Sequence, residues 1–441
     1  MESADVSTKQ GRIAELARIH PEVSFTSLAY HIDLWWLHEA FQRTRKDGAA
    51  GVDGQTAGEY AKGLGENLKS LLEKAKSGTY FAPPVKRVHI PKGTGSETRP
   101  IGVPSFEDKV LQRAVQMVLE PLYEQDFLDC SYGFRPGRSA HGALQALWDG
   151  LMKMGGGWII DLDIKKFFDT LDHSHLREIL KRRVSDGVLL RLIGKWLNAG
   201  VLEDGELSYP ERGTPQGGVI SPMLSNIYLH EVLDRWFNSE VKPRLQGEAF
   251  LIRYADDAVL VFAQKGDAQR VMDELPKRFG MYGLTIHPEK TRLVRFGKPK
   301  KRTEGKPEPP RWEKFNFLGF THYWGRSRKG KWVVLRKTEA SRFTRALKKI
   351  VEWCKKYRHR PLGEQQRALT QKLRGHYAYY GITGNYKYLN SFLWEVQTAW
   401  RRWLERRSRG HRITWERFSE LLRRYPLPAA RVVHSSYSAK L

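Results

Sequence analysis

The chain has 441 residues, with 75 Lys and Arg against 49 Asp and Glu, a net charge of +26 and only two cysteines. Cys130 and Cys354 lie too far apart for a disulfide framework or a zinc-ligand cluster and fit a reducing compartment. No apolar run approaches the ~20 residues of a membrane helix, so a cytoplasmic protein with no membrane attachment is expected. At ~150 residues per domain the length suggests two to four domains. The positive excess is localised: residues 291–441 hold 38 basic and 10 acidic residues, which leaves the rest nearly balanced. A surplus so concentrated and so rich in Arg and aromatics favours a polyanionic partner, nucleic acid above all, over an ordinary solvated surface.

Residues 1–80 read as helical. Leu28, Ile32, Trp35, Trp36 and Ala40 recur at spacings near 3.6 and predict one buried face. The glycine-rich break at 47–54 matches no phosphate-loop spacing, so a tight connection is the expected role. A second amphipathic run follows through Leu64, Leu68, Leu71 and Leu72. In residues 81–104, alternating Val85, Arg87 and His89 predict a strand, Gly93 to Ser96 a turn, and Arg99 to Val103 a returning strand. This hairpin presents Lys92 and Arg99, which either lie exposed in solvent or hold phosphate, Arg99 by its forked donors.

A helix is expected over 105–128. Residues 131–138, Ser-Tyr-Gly-Phe-Arg-Pro-Gly-Arg, suit a nucleic-acid contact and a sharp structural corner equally. A helix from Ala140 to Met154 leads into Trp158 to Asp169, where alternation puts Asp161 and Asp163 on one strand face opposite Ile160, Leu162 and Ile164. Acids in such a run are costly unless paired or metal-bound. Residues 171–200 read as amphipathic helix. A glycine-rich turn at 212–220 carries Gln216 and opens a helix at Ser221-Pro222, a cap-then-proline start.

Residues 249–263 read as a buried hairpin, with apolar runs 250–252 and 258–262 flanking Tyr254-Ala255-Asp256-Asp257. Asp at a turn ordinarily faces water, but here the strands on both sides are apolar enough to lie in a core. A helix over 267–281, a segment bringing in Lys290, a mobile polar loop at 297–312 and a return to β-structure at 315–320 complete this region. Beyond residue 338 the pattern is helical, through Phe343 to Trp353, Leu373 to Tyr380 and Phe392 to Leu404. Arg401, Arg402, Arg406 and Arg407 surround an apolar stripe and are candidate contacts to an RNA or DNA backbone, with Tyr and Trp nearby for stacking.

Asp163, Asp256 and Asp257 together form a hard-oxygen donor set. Lys92, Arg99 and Lys290 add phosphate-binding cations, and Gln216 sits beside a glycine-lined turn. No Ser-His-Asp set or reactive Cys competes. Acids converging beside such cations imply phosphoryl transfer assisted by two Mg²⁺ ions about 4 Å apart. A nuclease could use the same acids but has no need of triphosphate-holding cations.

The order of these blocks resembles a reverse transcriptase of the bacterial group II intron type, over nearly the whole chain. Tyr254 to Asp257 matches the polymerase YxDD box, Asp163 to Phe168 the other metal-binding motif, and Gly213 to Pro222 the most specific block. Arg99 to Pro104 and Phe317 to Phe320 fit two more. Gly48 to Gly54 resembles the N-terminal extension of such enzymes, and Leu373 to Gly381 the maturase region.

The resemblance implies an α+β right-hand polymerase, with N-terminal extension and fingers at 1–155 and a palm at 156–324 carrying a fingers-type insertion near 175–225. A helical thumb or maturase domain would fill 325–441. Asp163, Asp256 and Asp257 would be the catalytic triad, with the Ile164 carbonyl an extra metal ligand and Asp161 ranked behind Asp163. Phe168 would collide with a ribose 2′-hydroxyl, Gln216 would line the nucleotide pocket, and Lys92, Arg99 and Lys290 would hold the triphosphate. The implied cofactor is two Mg²⁺ ions, with Mn²⁺ as a substitute. The implied partners are an RNA template and intron RNA, a DNA primer or target, and dNTPs. No Cys-rich or His-Asn-His endonuclease segment is present, so second-strand cleavage is not expected. The biology expected is splicing and mobility of a parent intron. The alternatives are a free-standing relative in DNA repair or phage defence, and a splicing-only RNA-binding protein.

Overall fold

The computed structural model describes residues 2–91, 98–203, 205–209, 213, 217–299, 313–327, 329–407 and 412–435. It mixes helices and sheets in two compact units, residues 1–143 with 160–293 and residues 144–159 with 294–441. Among the described residues no helix is long and apolar enough to cross a membrane. In chain order the strands are β1 (Val85–Pro91), β2 (Thr98–Val103), β3 (Gly156–Leu162), β4 (Val201–Glu203), β5 (Glu206–Ser208) and β6 (Ala249–Tyr254). They continue with β7 (Asp257–Phe262), β8 (Arg292–Gly297), β9 (Phe315–Phe317), β10 (Phe320–Arg326) and β11 (Trp332–Thr338).

The first unit is built around the helix Phe106–Tyr123, where Val110, Leu111, Ala114, Val115, Val118 and Leu122 are fully buried. Ser105 caps it by accepting the Asp108 N–H, and the helices Glu2–Ile19 and Leu34–Arg43 pack on it. The N-terminal face differs from the periodic reading. Asp33 caps the helix at Leu34 by accepting the Trp36 N–H, so Leu28 lies in a separate short turn and Trp35 is left exposed. Trp36 is buried and donates its indole N–H to the Ala114 carbonyl at 2.9 Å. A capping Asp sets the helical phase more strongly than one extra apolar residue does.

β1 and β2 form the expected hairpin, with Arg99 opposite Ile90, and β1 runs parallel to β4 on its other side, giving the order β2-β1-β4-β5. The 171–200 region is two helices, His173–Lys181 and Gly187–Leu197. The break is imposed by Asp186, which caps the second helix through the Val188 and Leu189 N–H groups and also accepts from Ala29 N. Ser221 proves to be the first helical residue and not the cap: Ile220 holds the cap position with no side-chain bond. That helix, Ser221–Leu229, continues as wider π-helical turns at His230–Arg235 and Phe237–Val241.

The sheet that carries the acidic hairpin has the order β6-β7-β3-β8. β3 and β8 are the strands in which the chain passes from one unit to the other. In the second unit, β9, β10 and β11 form an antiparallel meander, followed by the helices Ala340–Tyr357, Leu362–Tyr380, Tyr386–Glu405 and Trp415–Arg424. These helices enclose one apolar cluster that includes Ile350, Leu373, Tyr377, Phe392, Val396 and Trp400.

Candidate active site at the acidic hairpin

β6 and β7 pair from Ala249–Phe262 down to Tyr254–Asp257, so the turn is the two residues Ala255 and Asp256. Ala255 sits at φ +55°, a conformation that costs a non-glycine residue energy and needs outside support. Arg253 supplies it. Fully buried, it forks onto Asp234 at 2.7 and 2.6 Å and donates to Asn226 Oδ1 at 2.9 Å, Ser131 Oγ at 2.7 Å and the Ala255 carbonyl at 3.0 Å. From the opposite side Gly133 touches the turn. A Cβ there would lie 2.4 Å from Ala255 N, and Asn226 fixes the Gly133 carbonyl at 2.7 Å.

The 131–138 segment is therefore a structural corner. Arg253 N donates to the Cys130 carbonyl, Tyr132 N donates back to Arg253 O, and Arg135 is spent on Glu124 and the carbonyls of Leu128 and Ser131. Phe134 remains exposed, its ring 6.4 Å from that of Tyr254.

Asp163 follows the end of β3 and is held by its backbone. His287 N donates to its carbonyl at 2.8 Å, and the buried Thr291 hydroxyl both accepts its N–H at 3.1 Å and donates to its carbonyl at 3.2 Å. The carboxylate stays about half exposed, with Lys290 Nζ 3.9 Å away. The neighbouring bridge between Ile164 and Ile286 is made by Lys165 N to Thr285 O and by His287 N, so the Ile164 carbonyl takes no part in it. Asp161 differs: it pairs with Arg292 at 3.2 Å, and a carboxylate already matched by a guanidinium is the poorer metal ligand.

At Asp256, burial pushes the carboxyl above the usual carboxylate range; Arg99 opposes this and the charge of Asp163 adds to it. Three separate segments thus act at one carboxyl group: the turn itself, the end of β3 and β2. Asp257 stands at the exposed start of β7. Among the described residues no three His, Cys, Asp or Glu side chains already surround a common metal position. The charges of Asp163 and Asp256 repel one another.

Two glycines of the glycine-rich segment make close backbone contacts. Gly213 (φ +92°) presses on Phe168 and Asp169, where a Cβ would lie 2.7 Å from Phe168 O, and its N–H donates to Leu171 O at 2.8 Å. Gly217 (φ +118°) presses on β2, where a Cβ would lie 2.4 Å from Gly102 O. Only glycine fits these two contacts. Gly213 thus touches the segment bearing Phe168, and Gly217 the strand bearing Arg99. Gln216 and Lys92, together with the expected tip of the β1–β2 hairpin and most of the 297–312 loop, lie outside the described residues. Phe168 is half-buried and packs edge-on against buried Phe167 with centroids 5.3 Å apart; Arg99 is exposed.

The family model of the reverse transcriptase (RNA-dependent DNA polymerase) matches residues 90–322, more than half of the chain and every element of this site. The chain belongs to the reverse transcriptase family. Similar curated proteins include YkfC of Escherichia coli K12, 34% identical over 322 residues that cover 65% of this chain and 84% of that protein. The group II intron-encoded protein LtrA of Lactococcus lactis is 37% identical over 228 residues, half of this chain but only 37% of LtrA. Nuclear intron maturase 2 of Arabidopsis thaliana mitochondria is 29% identical over 234 residues, 44% of this chain and 30% of that protein. These relatives place the reverse transcriptase resemblance on the group II intron branch, and RNA-directed DNA polymerisation is the activity class of the family.

In the helical part of this reverse transcriptase-family chain, the four candidate arginines divide into two kinds. Arg401 bonds Glu405 and the Ile413 carbonyl and lies over the Trp415 ring, and Arg407 caps the carbonyls of Arg358 and Arg360. Arg402 and Arg406 are exposed, Arg406 with its guanidinium 4.8 Å from the Trp403 ring centre. The aromatic residues divide in the same way. Trp400 and Tyr377 are core and His376 stacks on Phe392 at 3.8 Å, whereas Trp394 is 55% exposed and stacks on Trp415 at 4.8 Å.

Proposed function

We propose that this chain copies RNA into DNA at a site made by Asp163, Asp256 and Asp257, in a right hand with fingers in 1–155, palm in 156–324 and thumb in 325–441. The observation that carries it is the meeting of Asp163 and Arg99 at the Asp256 carboxyl. Asp256, pushed up by burial and by the charge of Asp163, and the half-exposed Asp163 carboxylate form a donor set suited to a hard divalent ion. Asp163, Asp256, Asp257 and the Ile164 carbonyl would hold two Mg²⁺ ions, or Mn²⁺ in their place. Such ions lower the pKa of a primer 3′-hydroxyl and neutralise charge on a triphosphate.

The chain's own residues do the remaining work. Arg99, close enough to influence Asp256, forks onto triphosphate oxygens, and Lys290 adds a cation beside Asp163. Lys92 and Gln216 keep the triphosphate and nucleotide-pocket roles expected from the sequence. Phe168, backed by Phe167 and by Gly213, bars a ribose 2′-hydroxyl and so selects dNTPs. Arg253 and Gly133 orient the turn. Extension of oligo(dT) on poly(rA) by the purified chain tests this reading. Asp256→Asn should abolish extension and leave RNA binding intact, and extension retained by that variant overturns the assignment.

A maturase role in binding a parent intron RNA rests on the likeness to LtrA and to the maturase, and on the basic helices from Ala340 to Glu405, where Arg402 and Arg406 are left open to phosphate. Sequencing the RNA that co-purifies with the chain tests it. Enrichment of a structured intron supports splicing assistance, and recovery of unrelated RNA favours the free-standing reading.

A further inference from the structure

We propose that a cavity in the first unit, at the far end of β1 from Arg99, binds a single-stranded polynucleotide by combining phosphate contacts with base stacking. The cavity is about 750 Å³, within the range that takes a small organic ligand. It opens where Tyr80 to Pro84 lead into β1, against the helix Gly187–Leu197 and the end of the helix His173–Lys181. Val85, beside it, pairs with Val201, whereas Arg99 pairs with Ile90. The two levels are about 16 Å apart along the strand, so the cavity is a place other than the acidic turn.

Among the described residues the lining contains Arg177, Lys181, Arg191 and Lys195 and no acidic side chain. Two of these cations are already engaged: Lys195 bonds the Gly78 and Tyr80 carbonyls, and Lys181 pairs with Glu178 at 2.9 Å. Arg177 and Arg191, from different helices, have no hydrogen-bond or ion-pair partner among the described residues. Glycines make room for both. A Cβ at Gly194 would lie 2.9 Å from Arg177 Nη2, and those at Gly78 and Gly187 would lie 3.5 and 3.7 Å from the Arg191 guanidinium. Two exposed rings complete the rim, Phe81 at 74% and Tyr209 at 65% exposure, with Ala82, Pro84 and Leu190 as apolar lining between.

Unpaired guanidinia supply phosphate contacts but say nothing of what the phosphate carries. Large exposed rings beside them supply π-faces, and every base has a complementary one. The basic character of the described lining favours an anionic ligand over a metal cation. The combination fits one or two nucleotides of a single strand, RNA or DNA, whose backbone lies on Arg177 and Arg191 and whose bases stack on Phe81 and Tyr209.

The test uses the full chain and 12-mer single strands of RNA and DNA, each with a photoreactive thiolated pyrimidine. Cross-links should map to peptides containing Phe81 or Tyr209. Arg177→Gln with Arg191→Gln should reduce the salt slope of log affinity by about 1.4, from two lost phosphates. Phe81→Ala with Tyr209→Ala should weaken binding roughly tenfold, in line with stacking of a single base, and should leave the slope unchanged. Unlabelled trinucleotide should compete, whereas inorganic phosphate at the same concentration should not. The RNA and DNA arms identify which strand is preferred, and loss on either supports the site. Wild-type slopes and affinities in both folded variants, cross-links only elsewhere, or equal competition by phosphate overturn it. Extension of a short primer–template with a template overhang of one nucleotide should be unaffected in all these variants, so failure here is distinct from failure of the polymerase reading.

Discussion

Removing the buried charge pair behind the acidic turn should separate its effect on stability from its effect on positioning. Arg253 and Asp234 are both fully buried, and their forked contact leaves each without recourse to water. Asp234→Leu strands a guanidinium and Arg253→Met strands a carboxylate, and each should cost about 3–5 kcal/mol. The double variant removes both charges. What remains is the lost donor to Ser131 Oγ, Asn226 Oδ1 and the Ala255 carbonyl, a penalty of about 1–3 kcal/mol for each acceptor left unsatisfied. Urea unfolding should therefore place the double variant closer to the parent than Arg253→Met, which loses the same donors and strands Asp234 as well. Primer extension should not recover with it, because Ala255 at φ +55° has lost its brace, and a shift of ~1 Å at a reacting centre can cost 10²-fold in rate. A double variant that extends primers at the parental rate refutes the positioning role, and two single losses that simply add refute the pairing.

Phe168→Ala should let rNTPs compete with dNTPs in extension assays, and unchanged sugar selectivity counts against the ring as a filter. Neutralising Arg402 and Arg406 should weaken RNA binding and flatten its salt dependence by roughly one to two units in slope, one charge per phosphate. Arg401→Gln with Arg407→Gln should instead lower the unfolding midpoint of the chain, because their guanidinia hold Ile413, Arg358 and Arg360; equal effects on the RNA slope from both pairs contradict the division. Asp108 is fully buried, which lifts its carboxyl from 3.8 to about 6 against hydrogen bonds from Tyr80, Trp196 and Gln112. The folded state then holds this proton more tightly than the unfolded state, so its stabilisation is complete below about pH 4 and is lost as pH rises through about 6, by roughly 3 kcal/mol. The difference in stability between the parent and Asp108→Asn should follow that window, and a difference flat from pH 4 to 7 excludes the effect.

The hairpin at 249–263 was legible because two β-prone apolar runs flank a polar turn over fifteen residues, and the helix Ala140–Met154 was placed with the same bounds. Asp163 was readable as an acid out of place in an apolar run. Its supports were not: Thr291 and His287 act through backbone bonds to a residue far away in the chain, and a lone Thr at a strand start carries no signal of that. The buried partnership of Arg253 with Asp234 was hidden likewise, although an Arg inside the apolar run 250–262 was a clue that an acid had to be found for it. The corner at 131–138 could be read two ways because Gly and Arg serve both a backbone contact and a ligand. The proximity of Gly133 to Ala255 and the bonds that Arg135 makes to Glu124, Leu128 and Ser131 decide between them. The basic helices misled in one respect: charge counts cannot tell an Arg that caps a carbonyl from one that faces solvent.

The most direct test of the shared acidic site is to measure Mn²⁺ binding by electron paramagnetic resonance, with an incoming dNTP and a chain-terminated primer–template, in the parent chain and in Asp163→Asn and Asp256→Asn. Each substitution alone should weaken Mn²⁺ binding at least tenfold and abolish extension, because two carboxylates from distant parts of the chain serve one site. Unchanged Mn²⁺ affinity with parental extension in the Asp163→Asn chain would contradict the account.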